Sequence, residues 1–325
     1  MKIKIQEIKD LCLEILTKKG LSTEDAETIV NEYLDGELRG RECHGFAFFK
    51  NFGAKLVDPN AKEEVLKDED NLLFIDGGGK LGQLICNKYV PQLITKAKSK
   101  HMAMLGIKNM HSYLMPGTYA RMIAENDLVG FIFNYGGKAR IVPTGSIDPM
   151  LATNPIAIGM PSNDLPIVID LATSKTAMGK VRLAKKLGID LEPDCCIDKD
   201  GKSTLNPEEA MEGALFPFGG YKGYSLALMV EILSKTMFGL GGSKENVGKR
   251  GFFFMVFNPA AFQDINKFKE DVSKLIKEIK SSRKAEGVKE IFVPGERSER
   301  LKQENLKKDF LEIDKKIIEE IKGLL

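Results

Sequence analysis

The sequence predicts a mixed α/β protein, and three features carry that expectation. Short apolar runs of β type alternate with helical stretches from about Asn71 to Phe257. The stretch from Met1 to about Arg41 and the end of the chain are instead amphipathic at helical spacing. The 325 residues are enough for two domains, or one large one, with a real core.

The elements follow in order. Ile5, Ile8, Leu11, Cys12, Ile15 and Leu16 form one stripe at three- and four-residue steps, and Gly20 punctuates its end. Ser22 with Asp25 resembles a capping box, and Ala26, Ile29, Val30, Tyr33 and Leu34 make the stripe of a second helix. These two helices deliver Leu38-Arg-Gly-Arg-Glu-Cys-His-Gly45. Residues 72–75, 103–107, 129–133, 155–159, 166–170 and 251–257 read as strands. Helices are expected at 83–100, 224–238 and 260–281, and a charged amphipathic helix over 309–321 closes the chain. The helical ends, residues 1–70 with 297–325, are expected to pack together around an inserted α/β body of residues 71–296.

Lys and Arg number 48 against 46 Asp and Glu, without a basic block interleaved with aromatics, which speaks against a nucleic-acid surface. Met1-Lys-Ile-Lys-Ile-Gln lacks the apolar core of a signal peptide, and no apolar run approaches the roughly 18 residues of a membrane span, so a cytoplasmic protein is expected. The five cysteines, at 12, 43, 86, 195 and 196, form no CxxC, and the adjacent pair suits neither a zinc knuckle nor an easy disulfide. They read as reduced thiols.

Gly77-Gly-Gly79-Lys-Leu-Gly82 satisfies GxGxxG, follows a strand-like run and leads into a helix. The ribose-binding acid that a Rossmann site places about 20 residues on is missing, however, because Thr95 to Met104 contains no Asp or Glu. A glycine-rich turn before a helix accounts for these residues more simply.

Of the three histidines, His101 sits in Lys98-Ser-Lys-His at a helix end, where a basic residue complements the dipole. His44, before Gly45, and His111, directly after a strand, occupy positions where sites gather, although a core imidazole bonded to backbone is the alternative for either. No HxH, HxxxH or HExxH spacing supports a metal, and no GxSxG elbow supports a serine nucleophile. Cys43 is expected to point away from His44 along an extended chain. Proton transfer to a substrate oxygen is the task left for a histidine. Pro217-Phe-Gly-Gly-Tyr-Lys-Gly-Tyr-Ser225 places glycines and Lys222 ahead of a long helix, either as a seat for a phosphate or simply as a capped helix start. Phe292-Val-Pro-Gly-Glu-Arg-Ser298 has the same two readings on a smaller scale.

Leu38-Arg-Gly-x-x-x-His-Gly45, Ala152-Thr-Asn-Pro155, Ile169-Asp-Leu-Ala-Thr-Ser174 with Gly179-Lys180, Gly220-Tyr-Lys-Gly-Tyr-Ser-Leu-Ala-Leu228 and Val293-Pro-Gly-Glu296 together resemble the type 2 malate/lactate dehydrogenases in order and spacing. That family includes ureidoglycolate and sulfolactate dehydrogenases and piperideine-2-carboxylate reductases. The resemblance spans essentially the whole chain. It implies a non-Rossmann α/β fold, NAD or NADP as cofactor, a homodimer, a central body that binds the cofactor, and hydride exchange with a small 2-hydroxy/2-oxo acid or a related imino acid. It makes His111 the acid-base and puts His44 beside nicotinamide and substrate. It assigns Tyr135, Thr153, Asp170, Leu171, Ala172, Lys222, Gly223, Pro294, Gly295 and Glu296 to the cofactor.

The chain departs from the family on the substrate side. The family reads Ser-His-Gly with an arginine four residues after the histidine, expected to grip a carboxylate; here Cys43 and Phe48 stand at those positions. Arg39 is one candidate to compensate, alongside Arg41. The run after His111 reads Ser112-Tyr-Leu-Met-Pro116, Tyr135 replaces an expected serine, and the chain has no tryptophan. A bound nicotinamide with a divergent, more apolar substrate pocket is the resulting expectation. The alternative is a dehydrogenase-like protein with an altered substrate, or one that binds cofactor or partner without turnover.

Overall fold

The computed structural model describes residues 1–111 and 113–325, so Ser112 lies outside the described residues. The chain opens with a short strand, β1 (Lys2–Lys4), followed by α1 (Ile5–Lys18) and α2 (Thr23–Leu38). Ser22 caps α2 by accepting from the Asp25 N–H, as its sequence suggests. Two single 3-10 turns, Glu42–His44 and Phe46–Phe48, and a π turn, Phe49–Ala54, lead away from it.

The body contains β2 (Glu64–Glu69), β3 (Leu72–Asp76), α3 (Gly82–Lys100), β4 (Met102–Met110), α4 (Pro116–Ala124), β5 (Val129–Tyr135), β6 (Ile156–Met160) and β7 (Ile167–Leu171). It continues through α5 (Met178–Leu187), β8 (Cys196–Ile197), α6 (Pro207–Glu212), β9 (Ala214–Leu215), α7 (Tyr221–Ser234), β10 (Arg250–Phe257) and α8 (Ile265–Ser281). The chain closes with α9 (Glu296–Lys308), β11 (Phe310–Glu312) and α10 (Lys315–Lys322). No described helix is long and apolar enough to cross a membrane.

Seven strands form one sheet in the order β2-β3-β4-β10-β5-β6-β7, in which only β3 and β4 run parallel. Alternation along β10 divides its two faces. Phe252, Phe254 and Val256 are buried in one core with Tyr89 and Val90 of α3 and Tyr119 and Ile123 of α4. Phe253 points the other way and stacks on Phe133 at 6.2 Å, in a cluster with Val230 of α7. A separate core joins the chain ends: Ile8, Cys12, Leu16, Ile29 and Tyr33 pack with Ile317, Ile318 and Ile321 of α10.

The expected strands all form, within a few residues. The expected closing helix does not run through: Asp309 ends α9 in a left-handed conformation (φ 58°), and residues 310–312 pair with β1 instead. Met1 to Lys4 is accordingly extended rather than helical, because a pairing across some 300 positions leaves no trace in local periodicity. α8 starts at Ile265, where Asp264 caps it, after a separate turn at Pro259–Ala261. Residues 236–238 form a 3-10 turn beyond the end of α7. β2, α4, α5 and α6 were not foreseen; β2 is exposed along its whole length and forms only by pairing with β3.

Candidate active site

Loops from six parts of the chain meet at a cleft of about 400 Å³. The turn after α2 brings Cys43, His44 and Phe48, and the N-terminus of α4 brings Met115 and Pro116. The end of β7 supplies Asp170, Leu171 and Ala172; Thr153, the start of α5 and the start of β10 complete the wall.

Glycines let the histidine turn sit close to α2. A side chain at Gly36 would meet the His44 carbonyl at 2.4 Å, and one at Gly45 would meet the Glu37 carboxylate. That carboxylate accepts the Phe46 N–H at 2.9 Å, and burial pushes its pKa up to about 7. Cys43 does not point away from His44: the 3-10 turn replaces the expected extended chain and brings Cys43 Sγ within 3.2 Å of His44 Nδ1. Burial, with the Arg41 charge second, pushes the His44 imidazole down to about 4.

His111 follows β4, its N–H donating to the Lys80 carbonyl at 2.8 Å. Its imidazole flanks the Gly77–Gly79 turn, where Gly78 (φ 55°) abuts the Lys62 carbonyl and Gly79 (φ 80°) leaves room beside His111 Nε2. These glycines have steric reasons of their own, and the N–H groups of Gly77 and Gly79 are bonded to Lys108 and Asn109 carbonyls. His111 stands beside the cleft rather than in its lining; burial and then Arg250, a lining residue, lower its pKa.

Asp170 Oδ2 accepts the Gly117 N–H at 3.0 Å, against a glycine with no room for a side chain, and burial raises its pKa. A small groove carrying Arg41, Met115 and Asp170 continues from the cleft to Gly295 and Ser298. From Gly295 a larger groove of about 320 Å³ runs along Arg121 and Lys302. Of the residues assigned by resemblance, His44, Phe48, Thr153, Asp170, Leu171 and Ala172 share the cleft, and Gly295 borders both grooves.

The other assigned residues are engaged elsewhere. Tyr135 is buried away from the cleft, its hydroxyl donating to the Gly137 carbonyl and accepting from Lys235 Nζ at 3.0 Å. Arg39 is also buried, bridging Asp35 of α2 and Glu299 of α9; it borders both grooves but not the small-acid cleft. Lys222 and Gly223 do not line the cleft either. The N–H groups of residues 222–224 bond to carbonyls of the preceding loop, and Gly223 packs against the back of Thr173. The Pro294 carbonyl accepts from Val168 on the edge strand, and Glu296 pairs with Lys280.

The residue pattern did not single out the cations of the cleft. Arg41, Arg140, Arg182 and Arg250 line it with Lys138, Lys175 and Lys180, and Asp170 is the one carboxylate among them. Among the described residues none of these cations is within 4 Å of a carboxylate. They come from four distant parts of the sequence, so spacing carries no sign of them.

A seven-stranded mixed sheet flanked by helices and a cationic cleft holding a histidine narrow the class, and sequence comparison defines it. The model of the malate/L-lactate dehydrogenase family matches residues 3–322, and the chain belongs to that family. It is 33% identical to a malate/(S)-sulfolactate dehydrogenase of Methanothermus fervidus, over all of this chain and 97% of that one. The solved sulfolactate dehydrogenase of Methanocaldococcus jannaschii superposes with a TM-score of 0.86 at 32% identity, covering 100% of this chain and 96% of the other. A Δ1-pyrroline-2-carboxylate reductase of Burkholderia ambifaria is 31% identical over 75% of this chain and 73% of its own.

Proposed function

We propose that the protein is an NAD- or NADP-dependent oxidoreductase that exchanges a hydride with a small 2-hydroxy/2-oxo acid of the malate or sulfolactate type. The observation that carries this reading is the meeting of His44, the Asp170–Ala172 strand end and unpaired cations in one cleft that continues along a groove to Gly295. The residues present suit a dinucleotide: an elongated path, a buried carboxylate at its middle and, beside that carboxylate in the cleft, Arg41 and Lys180 free of carboxylate partners for phosphates, whereas Arg121 and Lys302 of the outer groove are paired with Asp35. Asp170, Leu171, Ala172, Thr153 and Gly295 would hold it, in a sheet with a single parallel pair rather than a doubly wound Rossmann fold.

When bound, the nicotinamide supplies or accepts the hydride. His111 exchanges the proton with the substrate oxygen, a step typically contributing about 10²–10⁴-fold. His44 keeps Nδ1 against Cys43 Sγ, which leaves Nε2 as its atom for the substrate. Phe48 and Phe52 form an apolar wall that excludes water from the reacting carbon. The pyrroline-carboxylate reductase relative favours a second reading with the same residues, protonation at an imine nitrogen in place of an oxygen.

We assign residues 1–70 and 297–325 to one domain and 71–296 to a cofactor-binding body. We also propose a homodimer formed through α7 and the turn that follows it, which leave Leu228, Ile232 and Met237 in solvent. Fluorescence titration of the purified protein with NADH and NADPH tests the cofactor, and oxidation of the bound one against oxaloacetate, sulfopyruvate, pyruvate and Δ1-pyrroline-2-carboxylate tests the reaction. Binding of neither nucleotide would refute the reading and leave a dehydrogenase-like protein without turnover.

A further inference from the structure

Three guanidiniums of the cleft, those of Arg140, Arg182 and Arg250, share it without a carboxylate partner. They lie close enough to repel one another: burial first, then Arg140 and Arg250, push the Arg182 guanidinium down to about 10. Arg140 donates from Nη1 to the Met211 carbonyl, but its Nε is buried with no hydrogen-bond partner among the described residues. Gathering unpaired cations and orphaning a buried donor is unfavourable unless a ligand completes the set. The aromatic rings around them hold two of the three in place. Arg182 sits over the Phe52 ring at 5.7 Å, Arg250 over the Tyr113 ring at 5.4 Å, and Phe52 itself packs on Phe48 with ring centres 5.8 Å apart.

We propose that Arg140, Arg182 and Arg250 form an anion clamp for a substrate with two acidic groups, and that Arg182, carried by α5 over the Phe52 ring that itself packs on Phe48, supplies the guanidinium that residue 48 lacks. The inference rests on the reading of the cleft as a small-acid site. A monocarboxylate would engage one planar fork and leave two cations repelling, whereas a dicarboxylate or sulfo-carboxylate offsets two of the three charges. None of the three borders the grooves that run to Gly295, which sets them apart from the path assigned to the cofactor.

Calorimetric titration of the full-length protein with succinate, sulfoacetate and lactate, beside fluorescence titration with NADH, tests the clamp. The two dianions should bind at least about 10-fold tighter than lactate. Arg182→Gln and Arg250→Gln should each weaken them by about 10- to 100-fold while NADH affinity holds. Phe52→Leu, which keeps the charge but removes its platform, should lose less. Arg182→Lys, which keeps the charge and serves should the Gln variant not fold, should recover only part of the affinity. Lactate binding as tightly as succinate would overturn the proposal, as would an Arg182→Gln protein that keeps its dianion affinity. A loss of NADH affinity with dianion binding intact would instead give the cluster to a cofactor phosphate, which also overturns it. Dianion binding that depends on Arg182 in a protein indifferent to NADH and NADPH would uphold the clamp and refute the hydride reading.

Discussion

Glu32 makes the stability of this protein depend on pH in a calculable way. Its carboxyl is 6% exposed on α2, where it accepts from Tyr119 Oη at 2.9 Å and from Asn87 Nδ2 at 2.6 Å. Burial outweighs both hydrogen bonds and pushes its pKa from 4.5 up to about 8. A raised carboxyl pKa means that the folded protein keeps a proton the unfolded chain has released, so its contribution is full below about pH 4.5 and lost as pH rises through 8. That interval, at roughly 1.4 kcal/mol per pH unit, sets a ceiling of about 4 kcal/mol on the stability this one group loses between pH 5 and pH 9. In Glu32→Gln a neutral amide oxygen takes both hydrogen bonds at every pH. Urea unfolding followed by circular dichroism at one-unit steps from pH 5 to 9 should show the variant gaining on the parent by about 2 to 4 kcal/mol across the range. Glu37, raised to about 7, is present in both proteins and cancels in the difference. Parallel profiles for the two proteins would refute the reasoning.

Other substitutions probe the cleft and its supports. Phe48→Arg replaces a ring that is 5% exposed with an unpaired charge near Arg182, and should cost about 3 to 5 kcal/mol without raising turnover on 2-oxo acids; a stable, faster variant in denaturation and rate assays would contradict this. Arg39→Met strips one cation from Asp35 and Glu299, so it should lower stability by about 3 kcal/mol and leave KM for the acid within twofold. A large KM change would return Arg39 to the substrate. His111→Asn should lower kcat by roughly 10²–10⁴-fold with NADH affinity retained, and a variant as active as the parent would remove His111 from proton transfer.

Sequence reading succeeded where the signal was local. The stripe from Ile5 to Leu16, the Ser22 cap and the apolar runs each depend on residues within a few positions, and each lies where its pattern puts it. It failed where partners are remote, as at β1 with β11, or where a charged strand such as β2 has no apolar face to announce it. The candidate site divides in the same way. The motifs around His44 and Asp170 reach the cleft, while Tyr135 and Arg39 sit in motifs of the right kind and are turned to other partners by packing. Arg140, Arg182 and Arg250 belong to no motif, and only the fold assembles them.

The charge states of the two histidines connect the clamp to proton transfer. His44, pushed down to about 4, and His111, lowered as well, are both shifted towards the neutral imidazole, the form that would accept the proton of a hydroxy acid in the proposed reaction. Reduction of a 2-oxo acid needs the opposite, a protonated imidazole. Arg250 contributes to the lowering of His111, and it is one of the guanidiniums assigned to the substrate anion. In the proposed reaction, a carboxylate or sulfonate on Arg250 would offset that positive field and raise the affinity of His111 for a proton, so binding of an oxo acid would prepare the donor it requires. The pH dependence of kcat, which reports the substrate complex, should therefore show a higher histidine pKa than that of kcat/KM, which reports the free protein. Equal values in the two profiles would uncouple Arg250 from the acid-base group and leave burial alone to set the His111 proton affinity.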